Sequence, residues 1–467
     1  MAIAASAATF LTACSNQIEM RRPDVHELPP LPEVGDIHTF KAPLYWSVYE
    51  YCYTNEQAGI ANQDQDIKYD QWERITDWLA DEFLPYGYDM VCTDGFIPML
   101  VKGEGIYMTH YGSMALTDLV DMCKKKGLKV GVYDNPLWLH APVNALIPGT
   151  DIRCGDLLYK SSDKILNPDA TDGFNWIVAT HDGAREYIDG FFKHYHELGI
   201  DFIRMDFMSW YEDGLGHYST GAMGRGYGRD VYARALCYIA ESAKKYGVFT
   251  SIVMPHLYDD AVIESKYCNM TRISRDTFDG GWQHASAQDR GKKYNTWPMF
   301  ENEFDGFVYY SPQAGRGKII LDGDFMRLNK FASDDEKKFV ISLQLMAGGP
   351  VAIADQISTI GDNGKFYTNT ELLSLNTDRF VGKPLTNNLA DTDNQIWYGQ
   401  MTDGSVIAGL FNREETAKNI TLNFSDLGLS GTWAIRDLWA HSDEGSGTSL
   451  TASIPAHGCK IVKLTNK

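Results

Sequence analysis

The chain has 467 residues, of which 44% are hydrophobic and 12% aromatic, enough to bury a large core and about three times the size of a typical single domain. Its 62 acidic residues outweigh 42 basic ones, leaving a formal charge of −20, which opposes a nucleic-acid ligand because that binding depends on neutralising phosphates with Lys and Arg. No apolar run reaches the ~20 residues that a bilayer-spanning helix needs.

The first thirteen residues, "MAIAASAATFLTA", are small and apolar and carry no Lys or Arg. They lead into Leu11-Thr12-Ala13-Cys14, which has the form of a bacterial lipoprotein signal, with a plain secretory signal as the alternative. The first reading makes Cys14 a lipidated N-terminus and turns "SNQIEMRRPDVHELPPLPEVGD" into a Pro-rich tether. It predicts an exported protein of the periplasm or outer membrane that meets a membrane only through Cys14. The other cysteines, at 52, 92, 123, 154, 237, 268 and 459, are scattered and form no CxxC, so neither a zinc site nor a disulfide framework is expected.

From about residue 40, short apolar strands alternate with amphipathic helices. The strands are expected at 44–50, 88–94, 129–135, 201–207, 249–255, 268–274, 317–324 and 349–355. Between them, Leu116, Leu119, Val120 and Cys123 repeat at helical spacing up to Gly127, and Ile188, Phe191, Phe192 and Tyr195 do so up to Gly199. Eight such strands predict an α/β fold of the (β/α)₈ TIM-barrel type. A doubly wound open sheet would place a glycine-rich phosphate loop after the first strand, and "YCYTNEQAGI" is not one. Past residue 390, "NQIWYGQMTDGSVIAGLFN", "NITLNF", "GTWAIRDLW" and "CKIVKL" follow one another as short alternating segments without a helical pattern, which predicts an antiparallel β-sandwich. The expected division is 1–35 signal and tether, 36–388 barrel, and 389–467 sandwich.

A barrel carries its chemistry at the C-terminal ends of its strands. Those ends read Glu50, Asp94, Asp134, Asp206, Arg272 with Asp276, Asp322 with Asp324, and Asp355. Tyr45, Trp46, Tyr49, Phe96, Tyr133, Trp138, Trp210 and Trp282 flank them. Carboxylates among aromatic platforms suit a neutral polyhydroxylated ligand, whose hydroxyls donate to the acids while its C–H face stacks on rings. Two of the acids could divide the work of a glycosidase. HExxH and GxSxG are both missing, and His194 and His196 lie two apart on one helix, so metal-dependent and serine hydrolysis are unsupported. No metal and no cofactor are expected.

"GIDFIRMDF" (199–207) and "YCNMTRISRDTFDGGW" (267–282) resemble two strand-end motifs of the glycoside hydrolase family 27 α-galactosidases and α-N-acetylgalactosaminidases, in clan D. Weaker matches run in the same order through "APLYWSVYE", "GYDMVCTDG", "GLKVGVYDN", "LDGDFM" and "LMAGGPVAIAD", and cover most of residues 40 to 385. The resemblance implies a retaining, exo-acting α-glycosidase, with Asp206 as nucleophile and Asp276 as acid/base. It places Arg204 on a substrate-contacting lysine and Tyr49 on a sugar-facing tryptophan. Trp46, Tyr49, Asp94, Tyr133, Arg204 and Arg272 are then the expected sugar contacts, and Arg204 and Arg272 are expected to keep Asp206 ionised. Asp276 needs a raised pKa, which the neighbouring Arg275 opposes unless it points away. Two departures concern the sugar: Asp94 is followed by Gly95 where the family has a second acid, and Val253-Met254-Pro255 replaces a Glu-Trp-Pro type triplet. Galactosides are the first expectation. A shifted specificity (isomaltodextranase, α-N-acetylgalactosaminidase or β-L-arabinopyranosidase) is the alternative, and a non-catalytic glycan-binding lipoprotein is the rival outside enzymes.

Overall fold

A computed structural model describes residues 30–51, 67–158, 160–161, 164–165, 175–212 and 226–466. Cys14, most of the tether and Cys52 lie outside the described residues. Eight parallel strands form one sheet: β1 (Leu44–Ser47), β2 (Met90–Cys92), β3 (Lys129–Tyr133), β4 (Phe202–Met205), β5 (Phe249–Ile252), β6 (Met270–Arg272), β7 (Ile320–Asp322) and β8 (Val351–Ile353). Their order is β7-β6-β5-β4-β3-β2-β1-β8, each pair parallel. After β7 the chain detours and returns at Met326, whose N–H donates to Ala352 O at 2.8 Å and whose carbonyl accepts from Ala354 N at 2.9 Å. That bridge closes the sheet into a barrel.

Helices cover the outside: α1 (Tyr69–Glu82), α2 (Leu116–Lys125), α3 (Ala184–Glu197), α4 (Arg229–Tyr246), α5 (Glu303–Tyr310) and α6 (Asp334–Ala347). α3 turns Tyr187, Ile188, Phe191, Phe192 and Tyr195 inward, as its periodicity predicts. α6 starts at Ser333, whose hydroxyl accepts from Glu336 N at 3.1 Å. It stops at Gly348, where φ is 71° and a Cβ would fall 2.6 Å from a Val381 methyl.

Side chains alternate along each strand, so Phe202, Arg204 and Asp206 all face the axis while Ile203 and Met205 face the helices. Tyr45, Met90, Cys92, Phe202, Phe249, Met270 and Phe325 fill the lower interior. Phe202 lies flat on Phe249, with centroids 5.3 Å apart. Gly131 makes room for this packing, since a Cβ there would sit 2.7 Å from the Phe202 ring.

The C-terminal region is a β-sandwich. One sheet runs in the order β9 (Lys383–Pro384), β10 (Ile396–Gln400), β11 (Val406–Phe411), β16 (Cys459–Asn466), β13 (Trp433–Asp437), β14 (Ser442–Gly447), and the facing pair is β12 (Lys418–Asn423) with β15 (Ser449–Ile454). Leu410, Leu422, Phe424, Ile435, Val462 and Leu464 lie between them. Arg413, 4% exposed, plugs this domain into the barrel: it pairs with Asp305 at 2.7 Å, donates to Ser286 Oγ at 2.7 Å and lies over the Phe304 ring. Trp282, expected at the mouth, instead stacks on His457 of the sandwich at 4.1 Å.

Removing one partner of a buried pair strands the other charge. Arg413→Leu is therefore expected to cost about 3–5 kcal/mol, read as a lowered midpoint in urea denaturation.

Candidate active site

The strand-end acids separate into two groups. Glu50, Asp134 and Asp355 serve the scaffold. Glu50 pairs with Arg327 at 3.0 Å and accepts from Asn329 Nδ2 at 2.8 Å. Asp134 turns outward to the Tyr195 hydroxyl at 2.6 Å, and Asp355 accepts from the amides of Leu328 and Asn329, each at 3.0 Å. The remaining acids, Asp94, Asp206, Asp276, Asp322 and Asp324, converge on the barrel axis.

Just below the mouth lies a buried ionic layer. Arg204 is 1% exposed and meets Asp94 at 3.0 Å, Asp322 at 2.8 Å and Asp324 at 3.1 Å, and it donates to Ser251 Oγ at 3.0 Å. Its guanidinium is thus engaged by protein carboxylates on three sides, a role beyond the sugar contact expected of Arg204. Arg272 meets Asp324 at 2.8 Å and Asp276 at 3.2 Å and donates to the Arg275 carbonyl at 2.7 Å. Burial would raise Asp324, but Arg272 and then Arg204 outweigh it and hold that carboxyl below its ordinary value. Burial raises Asp94 to about 6, with Arg204 opposing.

Above this layer Asp206 is half-buried at the end of β4. Tyr133 donates to its Oδ2 at 2.6 Å, and Asn135 Nδ2 donates to its backbone carbonyl at 2.9 Å. Burial, and next the facing Asp276 carboxylate, push Asp206 up to about 7, against the hydrogen bonds from Tyr133 and the Phe207 amide. Arg204 acts in the expected direction on Asp206 but is outweighed by burial and Asp276, while Arg272 acts on Asp276. Burial raises Asp276 as well, with Arg272 opposing. Arg275 turns away and pairs with Glu301 at 3.1 Å. Two neighbouring carboxyls with raised proton affinities titrate as one unit.

Aromatic walls stand around the pair. Phe207 packs on Trp210 with centroids 4.1 Å apart and lies 6.1 Å from Trp138. Phe207 went unnoticed in the sequence, although it directly follows Asp206; its φ of 61° turns it out of the strand alternation. Tyr49 faces inward, its ring tilted by 30° against Phe325 with centroids 4.4 Å apart. Trp46 is a correction to the expected sugar contacts. One residue out of phase with Tyr45, it points into the helix layer, where its Nε1 donates to Asp355 O at 3.0 Å and its ring meets Trp78, so it cannot reach the mouth. Tyr45 is buried beneath the site, and Phe96 packs in the core near Tyr111. Among the described residues no cluster of His, Cys, Asp and Glu could hold a metal ion.

Residues 391–464 match the α-galactosidase C-terminal β-sandwich domain. The chain is 35% identical to the isomalto-dextranase of Arthrobacter globiformis over 490 aligned residues, covering 100% of this chain and 73% of that protein. The chain belongs to glycoside hydrolase family 27. It is a glycoside hydrolase with the barrel and sandwich of that family. The structure of A. globiformis T6 isomalto-dextranase complexed with panose superposes with a TM-score of 0.84 at 34% identity, covering 94% of this chain and 75% of that one. The family 27 β-L-arabinopyranosidase from Geobacillus stearothermophilus shares the fold, with a TM-score of 0.69 at 18% identity over 92% and 97% of the two chains.

The family 27 departure after β2 falls on a left-handed backbone position. Gly95 has a φ of 81°, and a Cβ built there would lie 3.5 Å from the Tyr49 ring. The position has room for a side chain but a conformation that L-residues disfavour. Restoring an acid with Gly95→Asp is expected to cost about 1 kcal/mol, measured by chemical denaturation.

Proposed function

We propose that this chain is a retaining, exo-acting α-glycosidase whose substrate is a dextran-type α-glucan. The observation that carries this reading is the alignment with an isomalto-dextranase along the whole chain. Gly95, which withholds the second acid after β2, supports the same shift away from galactosides, because a site lacking a hydrogen-bond partner discriminates strongly between hydroxyl patterns.

In this mechanism an oxygen of the Asp206 carboxylate attacks the anomeric carbon as the glycosidic C–O bond breaks, and Asp276 gives its proton to the leaving oxygen. Water then attacks the glycosyl ester, returns a proton to Asp276 and frees Asp206, with net retention. The hydrogen bond from Tyr133 and the Phe207 amide favour the ionised form of Asp206, as a nucleophile requires. Asp276, reached by solvent to 28% of its side chain, lies where a leaving group departs. Phe207, Trp210 and Tyr49 offer faces for glucose rings.

The test is incubation with dextran, panose and the aryl α-galactoside, α-N-acetylgalactosaminide and β-L-arabinopyranoside. Cleavage of the glucans, with the initial product in the α configuration by NMR, is expected. Turnover of the galactoside alone would refute the substrate assignment. Asp206→Ala should lower turnover by about 10⁴-fold, and azide should restore part of it as a β-glycosyl azide.

Export as a lipoprotein belongs to the same proposal. Lys244 Nζ donates to Val34 O at 2.7 Å and Asn269 Nδ2 to Ile37 O at 2.8 Å, so the described part of the tether crosses the end of the barrel opposite the mouth, which suits an anchor that leaves the site free. Palmitate labelling in a bacterial host is expected in the wild type and lost in Cys14→Ala.

A further inference from the structure

We propose that Asp324 is a positioning residue that holds Asp276 from both sides and keeps its proton available for donation. The inference rests on Asp276 being the acid/base. On one side, Asp324 Oδ2 takes Arg272 Nη1 at 2.8 Å, and the same guanidinium touches Asp276 Oδ1 through Nη2 at 3.2 Å. On the other, it accepts the backbone N–H and the hydroxyl of Thr277, each at 2.9 Å, and Thr277 is the residue after Asp276. One fully buried carboxylate therefore fixes the cation beside Asp276 and the peptide that carries it.

The backbone is bent to deliver this carboxylate. Asp324 has a φ of 85°, a conformation few non-glycine residues adopt and one that asparagine and aspartate tolerate best. Gly323 before it is hemmed in, since a Cβ there would meet Gln344 Nε2 at 2.4 Å, Phe307 at 2.7 Å and Glu303 Oε2 at 2.8 Å. Strain at a buried turn that presents one acid to two arginines fits a functional demand.

The charged and titratable groups around Asp276 are Arg272 from β6, Arg204 and Asp206 from β4, Asp324 from β7 and Tyr133 from β3, while Arg275 is committed to Glu301. His284 and Glu303 lie behind Thr277 and Asp324, paired with each other at 3.2 Å. Asp324 neutralises the side of Arg272 turned away from Asp276. Without that negative charge the arginines act on Asp276 unopposed and favour its ionised form. The proton would be lost at lower pH, and the alkaline limb of kcat/KM would move in the acidic direction.

The experiment compares pH profiles of kcat/KM on isomaltotriose and on 4-nitrophenyl α-isomaltoside. Asp324→Asn keeps the size and the backbone preference and should move the alkaline limb down by about one pH unit. Asp324→Glu should leave the limb in place while lowering kcat. Asp322→Asn, which removes an equally buried carboxylate that pairs with Arg204 and accepts from the Asp324 amide but neither pairs directly with the Arg272 guanidinium nor bonds Thr277, should move it much less. An unmoved limb in Asp324→Asn, or an equal shift in Asp322→Asn, overturns the assignment. Should Asp324→Asn not fold, Thr277→Val carries the test. Its kcat should fall several-fold on isomaltotriose and little on the activated aryl glycoside, with KM unchanged, whereas equal falls overturn the proposal. Asp276→Ala separates this inference from its premise: an alkaline limb that persists in that variant removes the acid/base reading itself.

Discussion

The ionic layer of Arg204 and Arg272 with Asp94, Asp322 and Asp324 is the constraint around which the upper barrel is organised. Two guanidiniums buried to within a few per cent of full enclosure are tolerated only because three carboxylates from β2 and from the β7 region meet them at about 3 Å. The layer sits between an apolar floor of Phe202, Phe249 and Met270 and the candidate catalytic pair above. It holds β2, β4, β6 and β7 in one register from the inside, where backbone hydrogen bonds join only neighbouring strands.

The site above inherits its electrostatics from that arrangement. Burial pushes both Asp206 and Asp276 upward, Asp276 adds to the rise at Asp206, and Arg272 and Arg204 oppose it without cancelling it. The proposed double displacement requires one carboxyl ionised to attack and the other protonated to donate. The proposed shift in specificity draws on a different feature, the left-handed backbone at Gly95 beside the ring of Tyr49.

Much of this was legible in the chain. Alternation of strands and helices, with helices stopping at glycines such as Gly127 and Gly199, predicted the barrel, and short alternating segments after residue 390 predicted the sandwich. The motifs at 199–207 and 267–282 pointed to the family and to Asp206 and Asp276. What misled was the direction in which side chains point. Trp46 and Tyr45 are neighbours, and a shift of one residue in a strand exchanges interior for exterior; nothing local says which of the two faces the axis. Trp282 was drawn away by a domain that begins more than a hundred residues later.

Sequence alone determined the elements, their order and the chemical types available at the strand ends, because these depend on local periodicity and on residues a few positions apart. Only the tertiary structure decided which acids meet. Glu50, Asp134 and Asp355 look no different from Asp94, Asp206 and Asp324 along the chain, yet three are consumed by loops and a helix, and three face the axis. Partners such as Arg204 and Asp324, 120 residues apart, are brought together by closure of the barrel. With them the structure set the ionisation of Asp206, since charge separation and burial are properties of the folded mouth and not of any stretch of sequence.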